Sequence, residues 1–262
     1  MGKEITALKI GKSDSYALIT GATHGSERIT STVLLMFIEQ LCRAFVDNGS
    51  IEELNVRKGM RGCGLIAVPC VNPDGCDISL LGAKACGDKS EYISNLCRNN
   101  FEKWNANFRG VDLNHNFDAD WENLRKMEIE LGIVGPAPTR FGGYKPHSEP
   151  ETQALVNLCR TVPIRHTVAL HSQGEVIYWT FGNIKPPRSQ KMAEIMATTS
   201  GYALDVPISI ASGGGFKDWF IKEFNRPGFT VEIGKGENPL PANDAFSLYK
   251  KIRELLILTA IM

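Results

Sequence analysis

The stretch Ser15-Tyr16-Ala17-Leu18-Ile19-Thr20-Gly21-Ala22-Thr23-His24-Gly25-Ser26-Glu27 decides the fold class. Its first six residues form a β-like run containing the apolar stretch Ala17–Thr20, and the chain must turn after it. Over residues 29–45, Val33, Leu34, Phe37, Ile38 and Leu41 recur at the spacing of an amphipathic helix. A strand that turns directly into a helix is the unit from which α/β domains are built. His24 and Glu27 lie three positions apart in that turn, where both could face one ion. Taken singly, His24 also fits a turn histidine bonded to a backbone carbonyl. Glu27 alone also fits a carboxylate favoured by a helix N-terminus.

The same alternation continues on both sides. Residues 5–10 form a second β-like run, separated from the first by the polar turn 11–14. Residues 64–71 read as a buried strand stopped by Asn72-Pro73-Asp74-Gly75, a strong turn signal. Residues 76–109 form an irregular excursion with one helix expected near 91–104; such an insertion points to a functional role. Ser148-Glu149-Pro150-Glu151 reads as a capping box for a helix running through Cys159. Strands are expected over 166–170, 176–181 and 229–233, and helices over 189–200, closed by Gly201, and 245–261. The pattern predicts one α/β domain over residues 1–262, a sandwich with a central sheet.

Composition narrows the class. A chain of 262 residues with 43% hydrophobic and 22% charged residues can build a substantial core. Lys+Arg 29 against Asp+Glu 29 leaves no net charge, which argues against nucleic acid or an anionic membrane as partner. The 7 cysteines include no Cys-x-x-Cys pair and read as free thiols of a reducing compartment. The first ten residues lack the apolar core of a signal peptide, and the longest apolar stretch, 255–262, is too short to span a bilayer. A cytoplasmic location is the expectation; the oligomeric state is left open.

Catalytic zinc takes three protein ligands and leaves a fourth position for water. After His24 and Glu27, the third is expected at His171, where the apolar run 167–170 gives way to Ser172-Gln173-Gly174. Ligands at strand ends of an α/β sheet converge on one rim. The alternative for His171 is a satisfied core histidine. Glu232 interrupts the apolar strand Phe229-Thr230-Val231-Glu232-Ile233, where an unpartnered carboxylate is costly to bury. A neighbouring metal and its water would offset that cost and make Glu232 a general base. The alternative is a strand residue facing solvent.

Together, His24-x-x-Glu27, Asn72-Pro73-Asp74-Gly75, Gly110-Val111-Asp112-Leu113-Asn114, His171 and Glu232 resemble the zinc carboxypeptidase family related to carboxypeptidase A. The resemblance implies a three-layer α/β sandwich around a mixed, roughly eight-stranded sheet. It implies one Zn2+ per chain on His24, Glu27 and His171, with Glu232 as catalytic carboxylate. It further implies that Asp112 accepts a hydrogen bond from the non-ligating nitrogen of His24 and fixes the ring.

The chain departs from the digestive members of that family. Asn114 is followed by His115 where they carry an arginine that forks onto the substrate's terminal carboxylate, so a titrating imidazole replaces a permanent charge. Ile210 stands where they carry a substrate-capping tyrosine, and Asn105 follows Trp104 where their oxyanion arginine would be expected. Arg109 is the nearest arginine for that task. The segments from His171 to Glu175, Phe216 to Phe220 and Glu232 to Pro241 resemble bacterial γ-D-glutamyl-meso-diaminopimelate peptidases. That resemblance implies a murein-derived peptide as substrate, bound by Asn114 and His115. Lys217 would meet a substrate carboxylate and Glu175 its ammonium group; Lys217 also fits a solvated helix lysine. With no wall-binding module visible in the sequence, a role inside the cell, on released murein peptides, is the expectation. The rival readings are an ordinary zinc carboxypeptidase, an N-acyl amino acid amidohydrolase, and a protein that binds wall peptides without cutting them.

Overall fold

In the computed structural model, which describes residues 3–206 and 212–262, the chain opens with β1 (Leu8–Ile10), β2 (Tyr16–Thr20) and α1 (Arg28–Val46). A small hairpin, β3 (Ser50–Ile51) and β4 (Leu54–Asn55), leads through the single turn α2 (Val56–Gly59) to β5 (Gly64–Val68). Then come α3 (Pro73–Leu81), α4 (Ser90–Cys97), α5 (Trp121–Glu130) and α6 (Pro150–Thr161). The second half runs β6 (Ile164–His171), β7 (Val176–Tyr178), α7 (Ser189–Ser200), β8 (Ala203–Asp205), α8 (Phe216–Phe224), β9 (Gly228–Glu232) and α9 (Ala245–Ile261).

Among the described residues seven strands form one mixed sheet in the order β1-β5-β2-β6-β9-β7-β8. Its centre, β5-β2-β6-β9, is parallel, and β1 and β7 pair antiparallel with β5 and β9. Central parallel strands are covered on both faces and so read as unbroken apolar runs, as β2 and β5 do. Along β2, Ala17 and Ile19 enter one core cluster with Val33, Phe37 and Leu256, while Tyr16 and Leu18 enter the other with Leu155, Trp219 and Phe220. α1, α7 and α9 thus cover one face, and α6 and α8 the other. This is the three-layer sandwich expected from the sequence, with seven strands where roughly eight were expected. The 76–109 excursion carries its own small core around Ile78, Ile93, Cys97 and Trp104.

Three local expectations are corrected. Asn72-Pro73-Asp74-Gly75 does not end in a free turn but starts α3: the Asn72 carboxamide accepts from Gly75 N at 2.9 Å and Pro73 takes the first helical position. The capping box at 148–151 does not form, because Pro150 starts α6 one residue late. Glu149 is therefore the N-cap and makes no side-chain cap bond. Ser148 Oγ instead donates to Glu149 Oε1 at 2.8 Å and accepts from Asn116 Nδ2 at 2.9 Å. Finally, residues 255–262 are not the longest apolar span, since the helical stretch Gly25–Val46 is long and apolar enough to cross a bilayer. Its Val33, Leu34, Phe37 and Leu41 are instead buried in the core of the sandwich.

Candidate metal centre and its cavity

The turn after β2 is held by the Thr30 hydroxyl and by a close approach. Thr30 Oγ1 accepts from Ala22 N and donates to Glu27 O, both at 2.7 Å, locking the turn onto the start of the helix. Gly25 lies so near the excursion that a Cβ there would sit 2.3 Å from Gly75 O and 2.6 Å from Trp104 O. Asn72 Nδ2 donates to the carbonyls of Thr23, Asn105 and Ala106, each at 3.1 Å. The excursion therefore fixes the residues that flank His24.

His24 Nδ1 lies 2.8 Å from Glu27 Oε1, and His171 Nδ1 lies 3.0 Å from Glu27 Oε2. One ligand atom from each of the three residues falls within 4.8 Å of the other two. Ligands about 2.1 Å from a common tetrahedral centre stand roughly 3.4 Å apart, so this donor set fits zinc. Two nitrogens and a carboxylate are also the donor chemistry of hydrolytic zinc sites. His24 Nε2 donates to Asp112 Oδ1 at 3.1 Å. Asp112 is itself held by the amides of Asn114 (3.1 Å) and Arg140 (2.7 Å) and by Thr139 Oγ1 (3.2 Å). Behind the centre, Asn238 Nδ2 reaches Glu27 Oε1 at 3.5 Å, and Ser172 N donates to Glu27 Oε2 at 3.3 Å.

The field at this point favours positive charge. Burial alone would lower the His24 pKa, yet Glu27 and Asp112 outweigh it and hold it well above 6.5. Burial alone would raise Glu27, but His24 and His171 hold it down to about 2. Asp112, against the same burial, is pulled far below the usual carboxylate range by His24 and His115. Beside these groups, burial pushes the Glu232 carboxyl up to about 7, opposed by His171 and reinforced by Glu27. A carboxyl poised near neutrality can both take and return a proton.

His24, Asp112 and Glu232 open onto one cavity of about 300 Å³. Asn114, His115 and Lys217 line it too, so the structure brings these predicted residues together. Among the described residues its lining is polar, charged or glycine, with Tyr178 as an aromatic member. His115 Nδ1 is bound to the buried Glu128 at 2.8 Å, a carboxylate that Arg125 and Gly142 N also engage. Lys217 is buried, with its Nζ donating to Thr180 O at 2.6 Å and to Asp218 Oδ1, which excludes the solvated alternative.

Two predicted residues fall elsewhere. Arg109 is 61% exposed, approaches Glu149 Oε2 at 3.9 Å, and lines a separate cavity with Lys3, Phe108 and Glu151. The backbone wraps around Asn107, whose Oδ1 accepts from Arg109 N and Val111 N, and that turn aims Arg109 away from the metal ligands. Glu175 is ion-paired with Lys235 at 3.0 Å and with Lys251, and is not among the cavity's lining residues. Ile210 lies outside the described residues. The sequence reading missed Arg140 and Asp218, both on the cavity wall. Asp218 carried a signal, an acid in the first helical turn beside Lys217. Arg140 had none, because only the return of 131–149 over Asp112 places it there.

Residues 1–253 match the family model described as zinc carboxypeptidase. The chain is 36% identical over 254 residues to gamma-D-glutamyl-L-diamino acid endopeptidase 1 of Lysinibacillus sphaericus, covering 96% of this chain and 62% of that protein. It is 30% identical over 186 residues to murein peptide amidase A of Escherichia coli (strain K12), covering 70% of this chain and 61% of that protein. The chain thus spans less than two thirds of the length of either. Among solved structures, bovine thrombin-activatable fibrinolysis inhibitor superposes with a TM-score of 0.72 at 19% identity, covering 98% of this chain and 84% of that one.

Proposed function

The chain belongs to the zinc carboxypeptidase family, and we propose that it is a zinc metallopeptidase that hydrolyses the bond between the γ-carboxyl of D-glutamate and diaminopimelate in murein peptides. The observation that carries this reading is the cavity beside Glu232, walled among the described residues by polar and charged side chains, glycine and Tyr178. Such a wall suits a substrate with several charges rather than an apolar side chain. Likeness to the endopeptidase of L. sphaericus over nearly the whole chain supports the same reading.

His24, Glu27 and His171 would hold the metal through Nδ1, the carboxylate and Nδ1. When bound there, zinc supplies a Lewis acid that acidifies water and polarises a carbonyl. Glu232 takes the proton from the attacking water and returns it to the departing amine of diaminopimelate. Asp112 holds the His24 ring in one tautomer through Nε2, leaving Nδ1 free to ligate. Asn114 and His115 position the substrate from the neighbouring wall, and Arg140 adds a permanent positive charge for its carboxylates.

The test compares zinc-loaded protein on a γ-D-Glu-meso-diaminopimelate tripeptide and on an α-linked dipeptide with a free C-terminus. The reading expects cleavage of the first at the γ-glutamyl bond and little of the second. Preferential release of the α-linked C-terminal residue would make the protein an ordinary carboxypeptidase.

A further inference from the structure

Cys70 and Cys76 stand at the two ends of the segment that grips the His24 turn. Cys70 follows β5 and Cys76 sits in the first turn of α3, yet their Sγ atoms lie only 3.8 Å apart. Both thiols are free and half-buried. Cys76, by hydrogen bonding to it, and the Asn72 amide hold the Cys70 thiol below its ordinary range, against burial and Asp77. The same pairing, together with burial, raises the Cys76 thiol well above that range. A thiolate-prone sulfur beside a protonated one is the arrangement in which the first reacts with an oxidant and the second resolves the product. Burial instead raises the thiols of Cys86, Cys97 and Cys159, the last to about 12, which makes them poor nucleophiles.

Between the two sulfurs the chain is fastened to the turn that carries His24. Val71 N and Asn72 N donate to Gly21 O and Ala22 O, each at 3.0 Å. The Asn72 carboxamide donates to Thr23 O and to the excursion, and Gly75 O lies against Gly25. A disulfide needs its sulfurs about 2.05 Å apart, so closing the pair draws in the segment on which His24 rests. We propose that Cys70 and Cys76 form a peroxide-reactive dithiol whose oxidation to a disulfide weakens the metal centre. The Cys70 sulfur attacks one oxygen of hydrogen peroxide: an S–O bond forms, the O–O bond breaks, and hydroxide leaves to take up the Cys70 proton. Cys76 then attacks the resulting sulfenic acid. The S–S bond forms, the S–O bond breaks, and the departing oxygen leaves as water with the Cys76 proton. In sum two thiols give up two electrons and two protons, and one peroxide becomes two waters.

The experiment treats zinc-loaded protein with about one equivalent of hydrogen peroxide and maps its thiols by mass spectrometry without reductant. The inference expects a Cys70–Cys76 link that a phosphine reductant removes. Zinc affinity, read by competition with a fluorescent chelator, should fall by about 10-fold or more on oxidation and recover on reduction. Cys76→Ser should stop at a Cys70 sulfenic acid that dimedone captures, and Cys70→Ser should yield no such adduct at Cys76. Oxidation of other cysteines with Cys70 and Cys76 left intact overturns the inference. So does a Cys70–Cys76 disulfide that leaves zinc affinity unchanged. Mapping and affinity use the unaltered protein, so the inference stays open to refutation if a variant does not fold. No murein peptide enters the assay, which keeps its outcome separate from the bond specificity proposed above.

Discussion

His171 and Glu232 are register partners on the adjacent parallel strands β6 and β9. Partners in register leave the same face of a sheet with strands about 4.8 Å apart, so the last residue of β6 brings an imidazole next to the last residue of β9, a carboxylate. Glu232 is also paired across to Val176 of β7, which places β9 inside the sheet and denies its end the freedom of an edge. Backbone hydrogen bonding thereby sets the distance between a residue of the candidate metal centre and the carboxylate proposed as proton acceptor.

Asp112 accepts from the His24 ring and would act on a bound metal through it. Asp112→Asn should weaken zinc binding by about 10–100-fold, read by competition with a fluorescent chelator. Unchanged affinity would show that the ring is oriented by the 21–27 turn alone.

Arg109 lies on another face, so Arg109→Ala should leave kcat/KM within about twofold of the parent and stability within about 0.5 kcal/mol. A loss of several hundred-fold would return Arg109 to the role of oxyanion donor.

Glu128, fully buried, accepts from His115, Arg125 and Gly142 N. Glu128→Ala strands a buried guanidinium and an imidazole, and should cost about 3–5 kcal/mol in urea unfolding. A cost below about 1 kcal/mol would mean that solvent reaches the cluster on mutation.

His166 contributes to acid sensitivity. Its Nε2 donates to Thr259 O at 2.9 Å, and burial, aided by the charge of Arg165, pushes it down to about 3. The folded pKa lies below the unfolded value near 6.5, so on acidification the unfolded chain binds a proton that the folded chain refuses. The contribution of His166 is therefore nil above about pH 6.5 and lowers stability by up to about 1.4 kcal/mol per unit between there and pH 3. His166→Gln, which keeps a donor for Thr259 O, should lose about 2 kcal/mol less than the parent between pH 7.5 and 5. Parallel stability curves would place the acid sensitivity elsewhere.

His171 and Glu232 were legible because each ends an apolar strand, and His24 and Glu27 because their spacing falls in the turn that follows one. β2 and β5 were legible as unbroken apolar runs. Arg109 was misread because its direction depends on how the backbone wraps around Asn107, which spacing does not encode. Glu175 was misread because Lys235 and Lys251, distant in sequence from one another, converge on it. Helix starts at α3 and α6 were off because proline sets the first helical position, shifting the expected turn and cap by one or more residues. Arg140 was invisible, since its place in the cavity arises from a long return of the chain over Asp112.

The most direct test of the account is a zinc titration of metal-stripped protein, with murein tripeptide hydrolysis followed at each step, alongside Glu232→Gln. The account predicts that activity rises to a plateau at one zinc per chain. It also predicts that Glu232→Gln binds the same single zinc with turnover reduced by at least about 10²–10⁴-fold. Full activity of the stripped protein, or an active Glu232→Gln, would contradict it.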